Sequence, residues 1–337
     1  MRVWIVPKGS KRAEDLRQEE RPTPSVRAGQ VRVRVRATSL NYRDQAVVAG
    51  VYVLADSTRD TVPLSDGAGE VVAVGEGVTR FTPGDRVAGT FFQTPPNGPP
   101  SAMPAALGAP LDGMLAEEVV LYEDGLVHVP QGYSFEEAAC LPCAGVTAWH
   151  ALMRAGRSIR PGDTVLVLGT GGVSTFALQF ARAAGARVIA TSSSDEKLRH
   201  ARSLGAAEGI NYKTTPEWDK EVLRLTGGRG VDCVVEVGGL GTLPLSMSAV
   251  GRGGKITLIG VLTGHQGGVN PHALMFKGAA LHGIFVGDRP MFEEMNRAIE
   301  TNGIKPVIDT EYEFDRAVDA FRQAASRSFV GKIVIRV

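Results

Sequence analysis

Cysteine is scarce in this chain, and neither sign of charge predominates. Its 337 residues include only Cys140, Cys143 and Cys233, too few for a disulfide framework and typical of a reducing compartment. We therefore expect a cytoplasmic protein. Lysine and arginine number 37 and aspartate and glutamate 36, so the charge gives no reason to expect nucleic acid or a membrane surface as a partner.

Long apolar runs are also lacking. No stretch reaches the roughly 18 apolar residues that a membrane-spanning helix needs. The N-terminal residues turn polar too early for a signal peptide. The remaining composition, 43% hydrophobic and 22% charged, is ordinary for a globular enzyme. The length suggests two domains, at a prior of about 150 residues each.

The most informative segment is residues 165–190, which predict a strand, a glycine turn, a helix and a second strand. The apolar run at 165–168 is typical of a parallel strand buried on both faces. A glycine turn between such a strand and a helix leaves backbone N–H groups and a positive helix end where a diphosphate can bind. The segment therefore predicts a dinucleotide cofactor. We expect it to contact Gly169, Thr170, Gly171, Gly172 and Val173.

The dinucleotide fingerprint is incomplete at its third glycine. That position is Ser174, which is small, so we interpret the segment as a variant of the fingerprint. The alternative is an ordinary tight turn.

Two kinds of pattern divide the chain. Up to about residue 125, valines alternate with arginines at 31–36 and glycines interrupt short strands, which predicts a β-rich, barrel-like module. From residue 161, strands alternate with helices, which predicts a doubly wound parallel sheet. Its candidate strands are residues 165–168, 188–191, 209–210, 233–237, 256–259 and 282–286. A helix at 291–300 follows, and a last strand at 331–337 is expected to return to the first module.

Residues 91–114 contain six prolines and are expected to be irregular. Such a loop is either a lid or binding loop, or a passive surface excursion.

The order of these parts resembles the medium-chain dehydrogenase/reductase superfamily over essentially the whole chain. The motifs that carry the resemblance lie at residues 41–44, 67–75, 83–87, 115–117, 141–149, 161–167 and 331–334. The resemblance implies an α/β fold with a GroES-like module (1–125 and 288–337) and a Rossmann dinucleotide-binding domain (126–287). It also implies a homodimer paired through the sixth strand, where residues 279–286 are apolar.

The zinc ligands of the superfamily's alcohol dehydrogenases are missing. The resemblance places Asn41 at the first ligand position, and Ser65 and Asp66 at the His-Glu pair. Cys143 falls at the third position, but one thiolate does not hold zinc without partners. We treat the spacing of Cys140 and Cys143 as coincidence rather than a redox or metal pair. The chain thus resembles the zinc-independent branch, similar to quinone oxidoreductases and enoyl or alkenal reductases, and we expect no metal.

The cofactor prediction depends on the end of the second strand. Enzymes that use NAD usually carry Asp or Glu there to bind the ribose 2′-hydroxyl, whereas this chain has Ser192 and Ser193. Their hydroxyls and the charge of Lys197 can bind a 2′-phosphate, and the resemblance adds Tyr212. We therefore expect NADPH, although the serines also fit a helix N-cap and Asp195 could still reach the ribose.

Other cofactor contacts are expected where strands end on the same face of the sheet. They are Gly238, Val261, Phe285 and Val286, with Lys332 from the terminal strand.

The resemblance implies catalytic residues in the spacing Asn-x-x-Asp-x-x-x-x-x-Gly-x-Tyr, residues 41–52. Enoyl reductases look similar here, so Tyr52 is a candidate proton donor or carbonyl-binding group; the alternative is a wall residue. A phenol is a donor at neutral pH because its pKa is about 10. Asn41 could hydrogen-bond the carbonyl oxygen in place of zinc, and Thr147 matches a threonine against the nicotinamide.

Three functions remain open. We expect an NADPH-dependent, zinc-independent oxidoreductase that transfers hydride to a small-molecule substrate, a quinone or an α,β-unsaturated carbonyl. The alternatives are a zinc-free NAD(P)-dependent alcohol or aldehyde dehydrogenase and a non-enzymatic NADPH-binding protein.

Overall fold

The structure is a computed structural model that describes residues 1–52, 58–93, 105–264 and 268–337. Residues 94–104 of the loop expected at 91–114 lie outside the described residues. On either side of them, Phe92–Gln93 and Ala105–Ala106 pair as short antiparallel strands, so this part of the loop is not irregular as expected. The chain divides into two compact units, the first comprising Met1–Val146 with Asp288–Val337 and the second comprising Thr147–Gly287. Among the described residues, no helix has both the length and the apolar character needed to cross a bilayer.

Strands and helices are numbered in chain order. The strands are β1 (Arg2–Ile5), β2 (Arg17–Glu20), β3 (Gln30–Ser39), β4 (Asp66–Val74), β5 (Arg86–Gly89), β6 (Phe92–Gln93), β7 (Ala105–Ala106), β8 (Glu118–Tyr122), β9 (Leu126–His128), β10 (Thr164–Leu168), β11 (Arg187–Ser192), β12 (Glu208–Asn211), β13 (Val231–Glu236), β14 (Val250–Leu258), β15 (Ala280–Gly283), β16 (Ile308–Glu313) and β17 (Lys332–Arg336). The helices are α1 (Tyr42–Val48), α2 (Phe135–Ala139), α3 (Val146–Trp149), α4 (Gly172–Ala183), α5 (Asp195–Ser203), α6 (Trp218–Leu225), α7 (Leu243–Ala249), α8 (His272–Lys277), α9 (Arg289–Asn302) and α10 (Ala317–Ser326).

The first unit is built on a mainly antiparallel sheet in the order β16-β17-β3-β4-β5-β9, with β8 also paired to β3. The valine–arginine alternation of β3 explains its central place, because Val31, Val33 and Val35 are buried while the arginines face the other side. The terminal strand β17 pairs antiparallel with β3 and parallel with β16. The expected return of the chain to the first module is therefore confirmed.

The boundary between the units differs from the one expected at residue 125. Residues 126–146 belong to the first unit. The reason is their pairing: β9 continues the sheet beside β5, and the hydroxyl of Ser39 donates to the carbonyl of Ala139 in α2 at 2.8 Å.

The second unit is a parallel sheet in the order β12-β11-β10-β13-β14-β15. This is the doubly wound order: from β10 the chain adds strands first on one side of the sheet and then, starting with β13, on the other. Residues Val165, Leu166, Val167, Val234 and Val235 are essentially inaccessible because helices cover both faces. The predicted Rossmann sheet is confirmed. Ligands of such sheets bind at the carboxyl ends of the strands, beside the point where the strand order switches sides, here between β10 and β13.

The sixth strand is shorter than the predicted 282–286. It ends at Gly283, and Val286 has a left-handed φ of 55°, which a strand does not allow. The carbonyl oxygen of Val286 lies 2.6 Å from Nδ1 of His150. A carbonyl only accepts, so Nδ1 carries the proton, and the bond joins residue 286, beyond the strand, to His150.

Candidate functional site

The glycine turn after β10 has open space beside its backbone. Gly169 has a φ of 75°, which favours glycine, and Gly171 is the N-cap of α4. A Cβ built at either glycine would meet no atom within 4 Å. The positive end of α4 therefore lies beside room for an anion.

Ser174 shows how the fingerprint tolerates the loss of its third glycine. Its side chain is buried, and its hydroxyl donates to the carbonyl of Leu168 at 2.7 Å. The serine thus links the first turn of α4 to the end of β10.

Of the serines at the end of β11 and just after it, one caps the next helix. The Ser194 hydroxyl accepts the N–H of Lys197 and caps α5. Ser192 and Ser193 are not part of that cap, and the Tyr212 N–H donates to the Ser192 carbonyl at 3.0 Å, which brings the Tyr212 and Ser192 backbones together. Tyr212 is 42% exposed. These groups could hold a phosphate at the end of β11.

Asp195, the acid that could have reached a ribose, has another partner. Its Oδ1 accepts from Nδ2 of Asn211 at 2.8 Å. This bond ties the carboxylate to the end of β12.

An apolar pocket of about 410 Å³ lies within the second unit at the carboxyl ends of β14 and β15. It contains two predicted cofactor residues, Val261 and Phe285, both partly exposed. A pocket of this size and polarity could hold a planar ring. Its lining is completed by Gly239, Leu240, Leu258, Ile259, Gly260, Gly264, Gly283 and Ile284.

Glu236, which the sequence analysis missed, fixes the loop beside this pocket. Its carboxylate is inaccessible to solvent and accepts from the N–H groups of Gly238 and Gly239 at 2.7 and 3.0 Å. It also accepts from the hydroxyls of Thr242 and Ser246. The sequence feature that could have identified it is a single acidic residue at the end of an otherwise apolar strand. Its role is to hold the predicted contact Gly238 in place.

In the first unit, the predicted Asn41–Tyr52 segment is α1 with its two ends. Asp44 accepts the Asn41 N–H at 2.7 Å and so caps the helix. At the other end Gly50, with a φ of 67°, reverses the chain, and the Tyr52 N–H returns to the Ala46 carbonyl. The spacing of this motif therefore has a structural reason, which is to fold Tyr52 back along α1.

Arg43 holds the Tyr52 ring, and the sequence analysis did not single it out. The guanidinium carbon lies 4.8 Å from the centre of the Tyr52 ring and 4.9 Å from that of Phe91. Its nitrogens donate to the carbonyls of Leu107 and Ala109 at 2.8 and 2.9 Å. Cation–π contacts and fixed hydrogen bonds orient such a ring.

A second group of polar side chains surrounds Asn41. Lys332 Nζ donates to Asn41 Oδ1 at 2.6 Å and lies 3.6 Å from Asp66 Oδ2. Asn41 Nδ2 lies 3.4 Å from Ser65 Oγ, whose proton goes to Asp66 Oδ1 at 2.7 Å. The Cys143 N–H also donates to Asp66, at 3.2 Å. We call Lys332, Asn41, Ser65 and Asp66 the lysine cluster.

Burial changes the acidity of two groups near this cluster. Desolvation raises the pKa of Asp44 to about 6, against the opposing effect of Arg43. Desolvation also raises the pKa of the Cys143 thiol well above its ordinary range. Cys143 is therefore a neutral thiol near pH 7.

The structure assigns the predicted residues to the two units without testing their roles. Tyr52, Asn41 and Lys332 lie in the first unit, and the glycine turn, the serines and Thr147 lie in the second. Thr147 is fully buried in α3. Lys332, predicted as a cofactor contact, has its ammonium in the lysine cluster.

Comparison with known proteins agrees with this architecture. A model described as an alcohol dehydrogenase GroES-like domain matches residues 27–131, and one described as a zinc-binding dehydrogenase matches residues 172–301. A zinc-type alcohol dehydrogenase-like protein of Schizosaccharomyces pombe is 44% identical over 334 residues, 96% of each chain. The chain belongs to the medium-chain dehydrogenase/reductase superfamily.

Other members of the superfamily support the same assignment. A quinone oxidoreductase of Pseudomonas aeruginosa is 35% identical, with 91% of this chain and 90% of that protein covered. The crystal structure of a putative alcohol dehydrogenase from Sinorhizobium meliloti superposes with a TM-score of 0.88 at 42% identity, over 100% of both chains. The chain is an oxidoreductase with the predicted GroES-like and Rossmann modules.

The family's zinc does not fit the residues present. Zinc prefers thiolate, imidazole and carboxylate ligands, but Asn41 and Ser65, at two of the expected ligand positions, carry a neutral amide and a neutral hydroxyl. Asp66 already accepts two hydrogen bonds and pairs with the Lys332 ammonium. Within the described ranges, no group of three or more His, Cys, Asp or Glu side chains could hold a metal.

Proposed function

We propose that this chain is an NADPH-dependent reductase that transfers hydride to a quinone or an α,β-unsaturated carbonyl without zinc. The observation that carries this proposal is the lysine cluster, in which the Lys332 ammonium pairs with Asp66 and donates to Asn41. A fixed amide donor therefore stands where the resemblance expects zinc ligands. The name of the Pseudomonas relative, a quinone oxidoreductase, supports the same substrate class.

The second unit provides the groups for NADPH. The open backbone at Gly169 and Gly171 suits the diphosphate, and the pocket at Val261 and Phe285 suits the nicotinamide ring. Ser192, Ser193, Lys197 and Tyr212 would hold the 2′-phosphate. This preference over NADH is supported by the engagement of Asp195 with Asn211, since a carboxylate so held is a weaker competitor for a ribose.

The bound cofactor, when reduced, supplies a hydride to an electron-poor carbon. On an enone that carbon is the β-carbon, and the π electrons move to the carbonyl oxygen. Asn41 would donate a hydrogen bond to this oxygen as its charge develops. Tyr52 would give a proton to the α-carbon, which completes the saturated ketone. A quinone accepts hydride readily, and its anion can take a proton from water.

A second candidate, alcohol oxidation, is favoured by the names of the Schizosaccharomyces and Sinorhizobium relatives. The two reactions are separated by a substrate panel. NADPH oxidation is measured with an ortho-quinone, an enone and an aldehyde, and NADP⁺ reduction with a saturated alcohol. We expect turnover of the quinone or the enone. Turnover of the alcohol and aldehyde alone would establish a dehydrogenase, and NADPH binding without any turnover would establish a binding protein.

The absence of zinc has its own test. Elemental analysis of the purified protein is expected to find far less than one zinc per chain, and chelators should leave activity unchanged. One tightly held zinc per chain, with activity restored by zinc after chelation, would contradict the proposal.

A further inference from the structure

The lysine cluster fixes the orientation of an amide. Lys332 Nζ has three neighbours, the Leu40 carbonyl at 2.7 Å, Asn41 Oδ1 at 2.6 Å and Asp66 Oδ2 at 3.6 Å. An ammonium has three protons and accepts none. The atom of Asn41 that faces it must therefore be the oxygen, because the amide NH₂ would place donor against donor.

The amide nitrogen of Asn41 is consequently turned away from Lys332. It carries two protons, and Ser65 Oγ is its partner at 3.4 Å, near the limit of a hydrogen bond. The Ser65 proton is committed to Asp66 at 2.7 Å, so Ser65 can only accept from the amide. One serine oxygen cannot use both amide protons, which leaves one for another acceptor.

Asn41 is also the member of the cluster that a ligand can reach. Lys332 is 3% exposed, and Ser65 and Asp66 are 0% exposed, whereas Asn41 is half-buried. The charged members are thus removed from solvent, where an ammonium polarises a hydrogen-bonded amide more strongly than it would in water.

We propose that Lys332 is a positioning residue that holds the Asn41 amide with its Nδ2 proton directed at the substrate oxygen and strengthens that proton as a donor. This inference rests on the proposed function, and it adds which residues stabilise the negative charge that develops on the substrate oxygen. The buried Lys332 ammonium donates to Asn41 Oδ1, and Nδ2–H of the same amide donates to the substrate. As hydride reaches the substrate, the oxygen gains negative charge, and the fixed donor stabilises it without reorganisation.

The first experiment is a double-mutant cycle on kcat with a substrate that the wild type reduces. Lys332→Met removes the ammonium, and because it leaves Asp66 uncompensated, Lys332→Met/Asp66→Asn is made beside it as a charge-balanced variant that should fold. We expect the balanced variant to lower kcat about 10- to 100-fold, part of the usual effect of one lost oxyanion donor. In an Asn41→Ala background, the same change should alter kcat less than about twofold, because Lys332 acts through the amide.

Equal losses in both backgrounds would show that Lys332 acts independently of Asn41 and would overturn the inference. So would a loss confined to the Kd of NADPH with kcat unchanged, since Lys332 would then be the cofactor contact that the sequence predicted.

The second measurement needs no turnover. The side-chain amide resonances of Asn41 are identified in an asparagine-labelled sample by their absence in Asn41→Ala. We expect them to shift and broaden in Lys332→Met/Asp66→Asn, because the amide loses its fixed partner, while the amides of Asn270 and Asn302 stay in place. Unchanged Asn41 resonances would overturn the inference even in an active enzyme. A shift in a protein that reduces nothing would leave the amide lock established and reject the proposed function instead.

Discussion

Lys332 and Asn41 are 291 positions apart in the chain, yet their side chains meet in a 2.6 Å hydrogen bond. The contact exists because β17 pairs with β3, and Asn41 lies just beyond the end of β3. It brings a basic residue from the last strand against Asn41, the residue that the resemblance aligns with the first zinc ligand.

The glycine turn gives the most direct test of cofactor binding. Gly171→Asp places a carboxylate in the space expected for the diphosphate, and aspartate is a good N-cap, so α4 should remain folded. We expect NADPH binding, measured by fluorescence titration, to weaken by at least about 100-fold through charge repulsion. Gly171→Asn is the matched control, with the same shape and no charge. Similar losses in both variants would point to steric effects and against a diphosphate at this turn.

Lys197 is expected to distinguish NADPH from NADH. Lys197→Ala should weaken NADPH binding by roughly 1–2 kcal/mol, the value of a charge-assisted contact, and leave NADH nearly unchanged. Lys220→Ala, which removes an exposed ion pair with Glu217, is the control and should change neither. Equal losses for both cofactors in Lys197→Ala would refute the assignment to the 2′-phosphate.

Tyr52 is tested by comparing two substrates on one variant. Tyr52→Phe keeps the ring over Arg43 and removes the hydroxyl. We expect kcat on an enone to fall by about 10²–10⁴, the range for general acid catalysis, and kcat on an ortho-quinone to fall far less. The Kd of NADPH should not change. Small, equal effects on both substrates would make Tyr52 a wall residue and leave positioning as the source of rate.

Asp44 should make stability depend on pH. Its pKa is raised to about 6 in the folded chain, mainly by desolvation and also by Asp66, against Arg43, the Asn41 N–H and Lys332. A raised pKa gives stability that is complete below the unfolded value and lost as pH rises through about 6. Relative to wild type, Asp44→Asn should therefore gain up to about 3 kcal/mol between pH 4 and pH 7.

The measurement is the urea midpoint of each protein across that pH range. Asp319→Asn is the control, and its stability relative to wild type should change with pH in the opposite direction, because the hydrogen bond from Arg316 lowers the pKa of the partly exposed Asp319 carboxyl. If the difference in urea midpoint between wild type and Asp44→Asn were the same at every pH, it would contradict the raised pKa of Asp44.

We propose a homodimer formed through β15. This strand is the edge of the sheet, and Leu281 on it is 40% exposed, an arrangement that invites pairing with a second copy. Sedimentation at micromolar concentration is expected to give a dimer, and Leu281→Lys should shift it toward monomer. Val74→Lys, at an exposed position of the first unit, should leave it intact. A wild-type monomer would exclude this assembly.

The local patterns of the sequence determined most of the strands and helices and the doubly wound, parallel type of the sheet. A buried apolar run followed by glycines specifies a β10–α4 unit, since only a strand covered on both faces dispenses with polar residues. Valines at every second position specify β3, because strand side chains alternate between faces. The glycine turn was predictable for the same reason: backbone geometry and small side chains are properties of adjacent residues.

Tertiary structure decided what each polar side chain contacts. The sequence assigned Lys332 to the cofactor, yet strand pairing across most of the chain places its ammonium against Asn41 and Asp66. Arg43 and Glu236 looked like ordinary charged residues, and burial against carbonyls and N–H groups makes them supports for Tyr52 and Gly238. Long-range pairing sets burial, and burial sets the strength of each charge, so neither can be derived from neighbours in the chain.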